Sequence, residues 1–447
     1  MSPQREVSPV LDGSLPLPDG IFCRSRRKRP ADHDSLSFRP PCEENVRGRA
    51  MRIVKVEDFH VDGGWRTFSF LKVTTDTGVT GWSEFCQTGW APGLTGVIRT
   101  IGQQCVGEDP RAFRVLIAKL SAITRMVAGG TMQQALGAIE NACVEICAKS
   151  LGIPVYALFG GKFRDHIPLY WSHFGTVRAA APDHFANFEG SRALRTLDDL
   201  TAFAADAAAK GWTALKTNAL IFSPDGEPHW WSTGLSARSL IWGGHCDQRT
   251  IDAIARQMEA LRAGFGPGGD IMLDLSFGMA PESLIRLDEA VESSRLGWLE
   301  MDMHEPDVLA DVRRKISTPV ASLEAVYGQR AFRPFFERFS VDVAIVDILW
   351  NGIAESLRIA AMAETFQVNV APHNFYGPLA NMISAHFSAA VPNFRIMEFE
   401  QDDVPWKNEL IVEDVVVDAG TLILPDRPGW GVTVNEDALA RYRKEMP

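Results

Sequence analysis

The chain has 447 residues, 46% apolar and 23% charged, the composition of a globular protein with room for two or three domains, or one barrel and a smaller partner. A net charge of −11 leaves no basic surplus for neutralising phosphates, and no apolar run approaches the ~20 residues of a membrane span, so nucleic-acid and membrane partners are not expected. Seven cysteines, at 23, 42, 86, 105, 143, 147 and 246, are too scattered for a disulfide framework and fit a reducing cytoplasm.

Residues 1–50 carry seven prolines, little periodicity and the basic run "RSRRKRP", with no apolar stretch after it. They read as a disordered extension, with a targeting role as the alternative, and Met51 opens the first good strand. From there "MRIVKVEDFHV" and "TFSFLKVTTDTGVTGWSEF" alternate as strands, and "TDTG" marks a hairpin. Residues 109–150 change to apolar spacings of three and four, which predict helices. Cys143 and Cys147 lie one turn apart there; lacking a second pair of ligands, they read as core thiols. Residues 51–164 therefore form an α+β unit, strands first and helices after.

From about 165 short apolar runs alternate with helical stretches. Eight strands are expected: 167–174, 212–218, 271–276, 297–302, 318–324, 343–349, 368–374 and 394–400. Eight alternating units over 165–400 predict a (β/α) barrel, a modified TIM barrel, with a doubly wound sheet as the weaker alternative because no GxGxxG turn is present. The tail, 401–447, leaves this rhythm and is expected to fold back on the N-terminal unit.

Strand after strand ends on a polar residue: Lys216, Asp274, Glu300, Glu324, Asp347, His373 and Glu398. From Asp274 onward the gaps are 26, 24, 23, 26 and 25 residues, the length of one β/α unit, so all project from the C-terminal mouth of the barrel. Asp274, Glu300 and Glu324 offer hard oxygen donors on adjacent strands. Without a cation they would repel one another, and the set suits Mg²⁺. Asp347 beside His373 is the arrangement of a general acid/base, because the carboxylate orients the imidazole and raises its basicity. Lys216 could hold a substrate carboxylate or carry a second proton. Metal and base together suggest abstraction of the proton next to a carboxylate, through an enediolate.

The motifs "LDLSF", "WLEMDMHEP", "PVASLE", "VDILWNGI", "APHNFYGP" and "LPDRPGWGV" resemble those of the enolase superfamily, in its mandelate racemase branch, over essentially residues 51–447. The resemblance implies a (β/α)₇β-type barrel capped by an α+β domain built from the N-terminal region and the tail. It implies Mg²⁺ at Asp274, Glu300 and Glu324, an Asp347–His373 base, Glu398 bonding near the substrate carboxylate, and a homo-oligomer, dimer or octamer. Racemases of this branch carry Lys-x-Lys on the second strand, whereas "LKTNAL" places Asn218 at the second position. A Lys-x-Asn strand resembles sugar-acid dehydratases such as galactonate dehydratase, whose histidine two residues after the first ligand is Ser276 here.

The expected activity is dehydration of a sugar acid to a 2-keto-3-deoxy acid. An epimerase or cycloisomerase is the alternative, and a silent metal-binding relative a third. His373 could serve both steps of a syn elimination. The insertion 221–248 could form a lid supplying His229, Trp231, Arg238 or His245. In the first hairpin, Trp65 and Arg66 are expected to contact the substrate, as is Asn218.

Overall fold

The computed structural model describes residues 51–87, 91–186, 194–222, 228–231 and 244–446. The expectations for residues 1–50 and for Arg238 lie outside the described residues, as does most of the 221–248 insertion.

The first unit is an antiparallel sheet of β1 (Ile53–Asp62), β2 (Thr67–Thr75) and β3 (Thr80–Phe85), with Phe59 opposite Phe70 and Phe70 opposite Glu84. Gly78, at φ +83°, makes the β2–β3 turn that "TDTG" announces. Across this sheet lies the helix Gly130–Leu151, buried nearly all round, with Cys143 in its apolar core. The approach is close enough that a Cβ at Gly81 would stand 2.0 Å from the carbonyl oxygen of Ala142.

The same helix reaches the barrel. Asn141 donates to the carbonyl of Ile348 (3.1 Å) and accepts from the amide of Ile353 (2.9 Å), while Glu140 accepts from the amide of Ala354 (2.8 Å). The last two bonds satisfy orphan amides at the N-terminus of the helix Ile353–Thr365, where a carboxylate is also favoured by the dipole.

All eight expected barrel strands form. They are β4 (His166–Trp171), β5 (Ala214–Asn218), β8 (Asp270–Asp274), β9 (Trp298–Glu300), β10 (Val320–Ser322), β11 (Val343–Asp347), β12 (Asn369–His373) and β13 (Met397–Phe399). They run parallel in the order β4-β5-β8-β9-β10-β11-β12, and β13 returns to pair with β4. A bridge between Val370 and Phe394 joins β12 to the chain entering β13 and closes the ring. Between β5 and β8 lies a small hairpin, β6 (Leu220–Ile221) and β7 (His229–Trp230).

The tail departs from the simple expectation of a return to the first unit. Its hairpin, β14 (Val417–Asp418) and β15 (Thr421–Ile423), pairs antiparallel with the start of β4 in the barrel. The tail meets the first sheet on either side of that hairpin: before it Trp406 packs edge-on against Phe68 of β2 (ring centroids 6.3 Å), and beyond it the indole of Trp430 donates to the carbonyl of Trp82 (2.9 Å) and Arg443 bridges Val61. No described helix is long and apolar enough to cross a membrane.

Candidate active site

Period-2 alternation builds the site in layers. Tyr170, Ala214, Met272, Trp298, Ala321, Ile345 and Ala371 pack together as one buried cluster inside the barrel. Two residues further along each strand the same face carries Ser172, Lys216, Asp274, Glu300, Asp347 and His373. Glu324 breaks this register, since alternation would send it outward with Ser322. A left-handed backbone at Leu323, φ +95°, accompanies its turn inward.

Asp274, Glu300 and Glu324 each present a carboxylate oxygen, and these atoms lie within 4.8 Å of one another. Glu300 is fully buried. It accepts from Lys216 Nζ and from the indole of Trp298, both at 3.0 Å. Burial, against the pull of Lys216, pushes Glu300 up to about 8, and burial with Asp302 close by drives Glu324 well above the usual carboxylate range. Two buried carboxylates and the half-buried Glu324, with no nitrogen or sulfur donor in the set, fit a hard divalent cation, which would relieve that repulsion.

His373 Nδ1 lies 2.7 Å from Asp347 Oδ2, and its Nε2 lies 3.4 Å from Glu324. Asp347 is itself held twice more: Oδ1 accepts from the amide of Trp350 (2.7 Å) and Oδ2 from the Tyr376 hydroxyl (2.5 Å). Burial disfavours charge on His373, but Glu324 and the Asp347 bond outweigh it and push the imidazole up to about 10.

Lys216, fully buried, lies 3.0 Å from both Glu300 and Glu398 and 3.8 Å from Asp274. Despite burial, these carboxylates hold its pKa well above the ordinary lysine value, so it stands as a fixed positive charge. Glu398 accepts from Ser172 Oγ (2.5 Å) and from the amide of Asn374 (2.7 Å), and although burial opposes it, Lys216 and two imidazoles bring it down to about 2. Asn218 donates weakly to the carbonyl of Asp274 (3.5 Å), and its buried Oδ1 has no partner among the described residues.

The first hairpin reaches this mouth. A cavity of about 410 Å³ beside the His373 dyad is lined by Trp65, Arg66, Glu84, Cys86, Phe375 and Tyr376. Trp65 takes part in that wall. Arg66, however, spends its terminal nitrogens on Asp403 and on the carbonyls of Phe375 and Tyr376, which makes it a clamp and not an open substrate contact. Of the insertion residues, His229 is exposed on its hairpin and the backbone amide of Trp231 donates to the carbonyl of Ala219 (2.8 Å). His245 pairs with Glu282 (2.6 Å) out on the surface.

Sequence reasoning missed several groups. Tyr376 braces Asp347, and its place in "APHNFYGP", three residues after His373, was the available signal. Asp302, two residues after Glu300, is buried with one oxygen unpartnered among the described residues. His173 pairs with Glu400 (2.8 Å) at the first strand's end.

Comparison with known proteins supplies the family. Residues 199–438 match the enolase C-terminal domain-like model, and residues 63–160 match the N-terminal domain of mandelate racemase and muconate lactonizing enzyme. The chain belongs to the enolase superfamily. Within the mandelate racemase branch, this enolase-superfamily chain is similar to a D-xylonate dehydratase of Haloferax volcanii, at 29% identity over 90% of this chain and 92% of the relative. A D-galactonate dehydratase of Ralstonia pickettii is 26% identical over 89% and 96%. A solved structure from Burkholderia xenovorans, provisionally assigned as an L-alanine-DL-glutamate epimerase, superposes with a TM-score of 0.84 at 40% identity, covering 88% of this chain and 98% of that one. That protein has also been solved bound to magnesium and fumarate.

Proposed function

We propose that this protein is a Mg²⁺-dependent dehydratase that converts a sugar acid to a 2-keto-3-deoxy acid. The observation that carries the reading is the approach of His373 to the carboxylate triad, 3.4 Å from Glu324, with Asp347 behind it at 2.7 Å. Mg²⁺ held by Asp274, Glu300 and Glu324 would supply positive charge where the substrate's carboxylate becomes an enediolate. Once Glu324 holds a cation, the charge that most raises the His373 pKa would be offset, and a neutral His373 would take the α-proton on Nε2. Asp347, fixed by Tyr376 and the Trp350 amide, holds the imidazole's other nitrogen and stabilises its charged form. Lys216 stays protonated and balances Glu300 and Glu398, while Asn218 and Trp65 bound the space for the substrate's hydroxyls. The sugar-acid dehydratases among the relatives and the magnesium-bound neighbour support this assignment.

An epimerase is the second reading, favoured by the provisional assignment of the 40% identical neighbour. It needs a second proton carrier on the opposite face. Lys216 is bound by three carboxylates, and Asn218 carries no transferable proton at neutral pH, which favours the lyase. The deciding experiment incubates the protein with Mg²⁺ and D-xylonate, D-gluconate or D-galactonate in D₂O. Keto acid establishes the dehydratase, whereas deuterium at the α-carbon without keto acid establishes the epimerase.

A further inference from the structure

Expelling a β-hydroxyl requires a proton, because hydroxide is a poor leaving group. Ser276 does not supply it, since its amide donates to Asp274 Oδ1 at 2.8 Å and its hydroxyl to the same oxygen at 3.4 Å. A second carboxylate–imidazole pair stands at the mouth. His173 follows the last residues of β4, and its Nδ1 lies 2.8 Å from Glu400, a fully buried carboxylate two residues beyond Glu398.

Regular alternation would send His173 to the outer face with Trp171. Its backbone is instead left-handed, φ +47°, a conformation uncommon outside glycine, and the imidazole meets the inward-facing Glu400. The ring of Phe375 lies 5.6 Å from His173 and 5.1 Å from His373, so the two imidazoles share one aromatic neighbour. Ser172, the residue before, donates to Glu398 and ties this strand end into the same network as Lys216.

We propose that His173, oriented by Glu400, is the general acid that protonates the departing β-hydroxyl; the inference rests on the dehydratase reading. His373 takes the proton from C2, leaving the C–H electron pair in the enediolate. That pair becomes the C2=C3 bond as the C3–O bond breaks with its own electrons. His173 passes the proton on Nε2 to the departing oxygen, and water is released. The enol ketonises to the 2-keto-3-deoxy acid, and exchange with solvent removes the proton from His373 and restores the one on His173.

The test compares wild type, His173→Asn and Glu400→Gln, each confirmed as folded by circular dichroism and thermal melting. Assays use Mg²⁺ and whichever of D-xylonate, D-gluconate or D-galactonate the wild type dehydrates, together with its 3-deoxy-3-fluoro counterpart. In His173→Asn, keto acid from the hydroxy acid should fall at least ~100-fold, with α-deuterium exchange within about threefold of wild type. The fluoro acid should keep near-wild-type turnover, because fluoride departs without a proton. Glu400→Gln should show the same pattern at about tenfold. Undiminished keto acid in His173→Asn would overturn the assignment and leave His373 acting alone in a syn elimination. Equal loss of exchange, fluoride release and keto acid in the folded variant would also overturn it, showing a positioning role. If wild type dehydrates none of the acids, the dehydratase reading itself fails, a result distinct from either.

Discussion

At the scale of single residues, the proposed function gives metal holding and proton transfer to different side chains, and the two can be tested apart. His373→Asn removes the proposed base but leaves all three carboxylates in place, so keto acid formation should fall by about 10²–10⁴-fold. Mg²⁺ affinity, read by titration calorimetry, should stay near the wild-type value. Glu324→Gln keeps the shape but removes a charged oxygen donor, and Mg²⁺ affinity should drop at least ~10-fold. Wild-type Mg²⁺ affinity in that variant would count against the ligand set. Lys216 illustrates why residue type alone misleads. A lysine at a strand end reads equally as a base or an electrostatic anchor, and only its three carboxylate neighbours decide for the anchor. Arg66 is the parallel case in the first hairpin, where Asp403 and two carbonyls occupy it.

At the scale of elements, the helix Gly130–Leu151 has two duties. It closes the core of the first sheet through Gly81, and it supports the segment immediately after Asp347 through Asn141. Asn141→Ala would orphan the Ile348 carbonyl and the Ile353 amide, at a cost of about 1–3 kcal/mol for each. Thermal melting should show the lower stability, and turnover should fall with Mg²⁺ affinity unchanged, because the disturbed segment carries Asp347 and none of Asp274, Glu300 and Glu324. An unaltered melting temperature would show those bonds to be replaced by water. The mouth also collects unusual backbone, since His173, Ser276 and Leu323 all have positive φ just past β4, β8 and β10. Ordinary alternation would misplace the side chains that these breaks re-aim.

At the scale of the molecule, buried carboxylates join the first unit to the barrel. Glu84 on β3 accepts from the amides of Gly377 (2.6 Å) and Ala380 (3.0 Å), at the start of the helix Pro378–Ala390. Burial outweighs those bonds and pushes its pKa from the ordinary 4.5 up to about 7. A folded value above the unfolded one means the native state holds the proton more tightly. The stability this contributes is complete below about pH 4.5 and is lost as pH rises through about 7. Glu84→Gln should therefore show a flatter fall in melting temperature between those limits than wild type. An unchanged slope would assign the pH dependence to other groups, Glu140 first, which burial also raises to about 7.

Sequence alone determined the (β/α) barrel and the positions of its strands, because period-2 patterns, helical spacing and a repeat of 23–26 residues are local properties that survive in one dimension. It also singled out Asp274, Glu300, Glu324, Asp347 and His373 as strand-end groups, since a charge closing a buried strand is costly without a reason. Only the tertiary structure decided which of these meet, and with whom. The bond from Tyr376 to Asp347, the pairing of His173 with Glu400 across 227 positions, and the split of the tail between barrel strand and first sheet depend on contacts between distant segments. Such contacts leave no periodic trace. They arise when ring closure brings β13 beside β4, and nothing in either strand's own pattern specifies its neighbour.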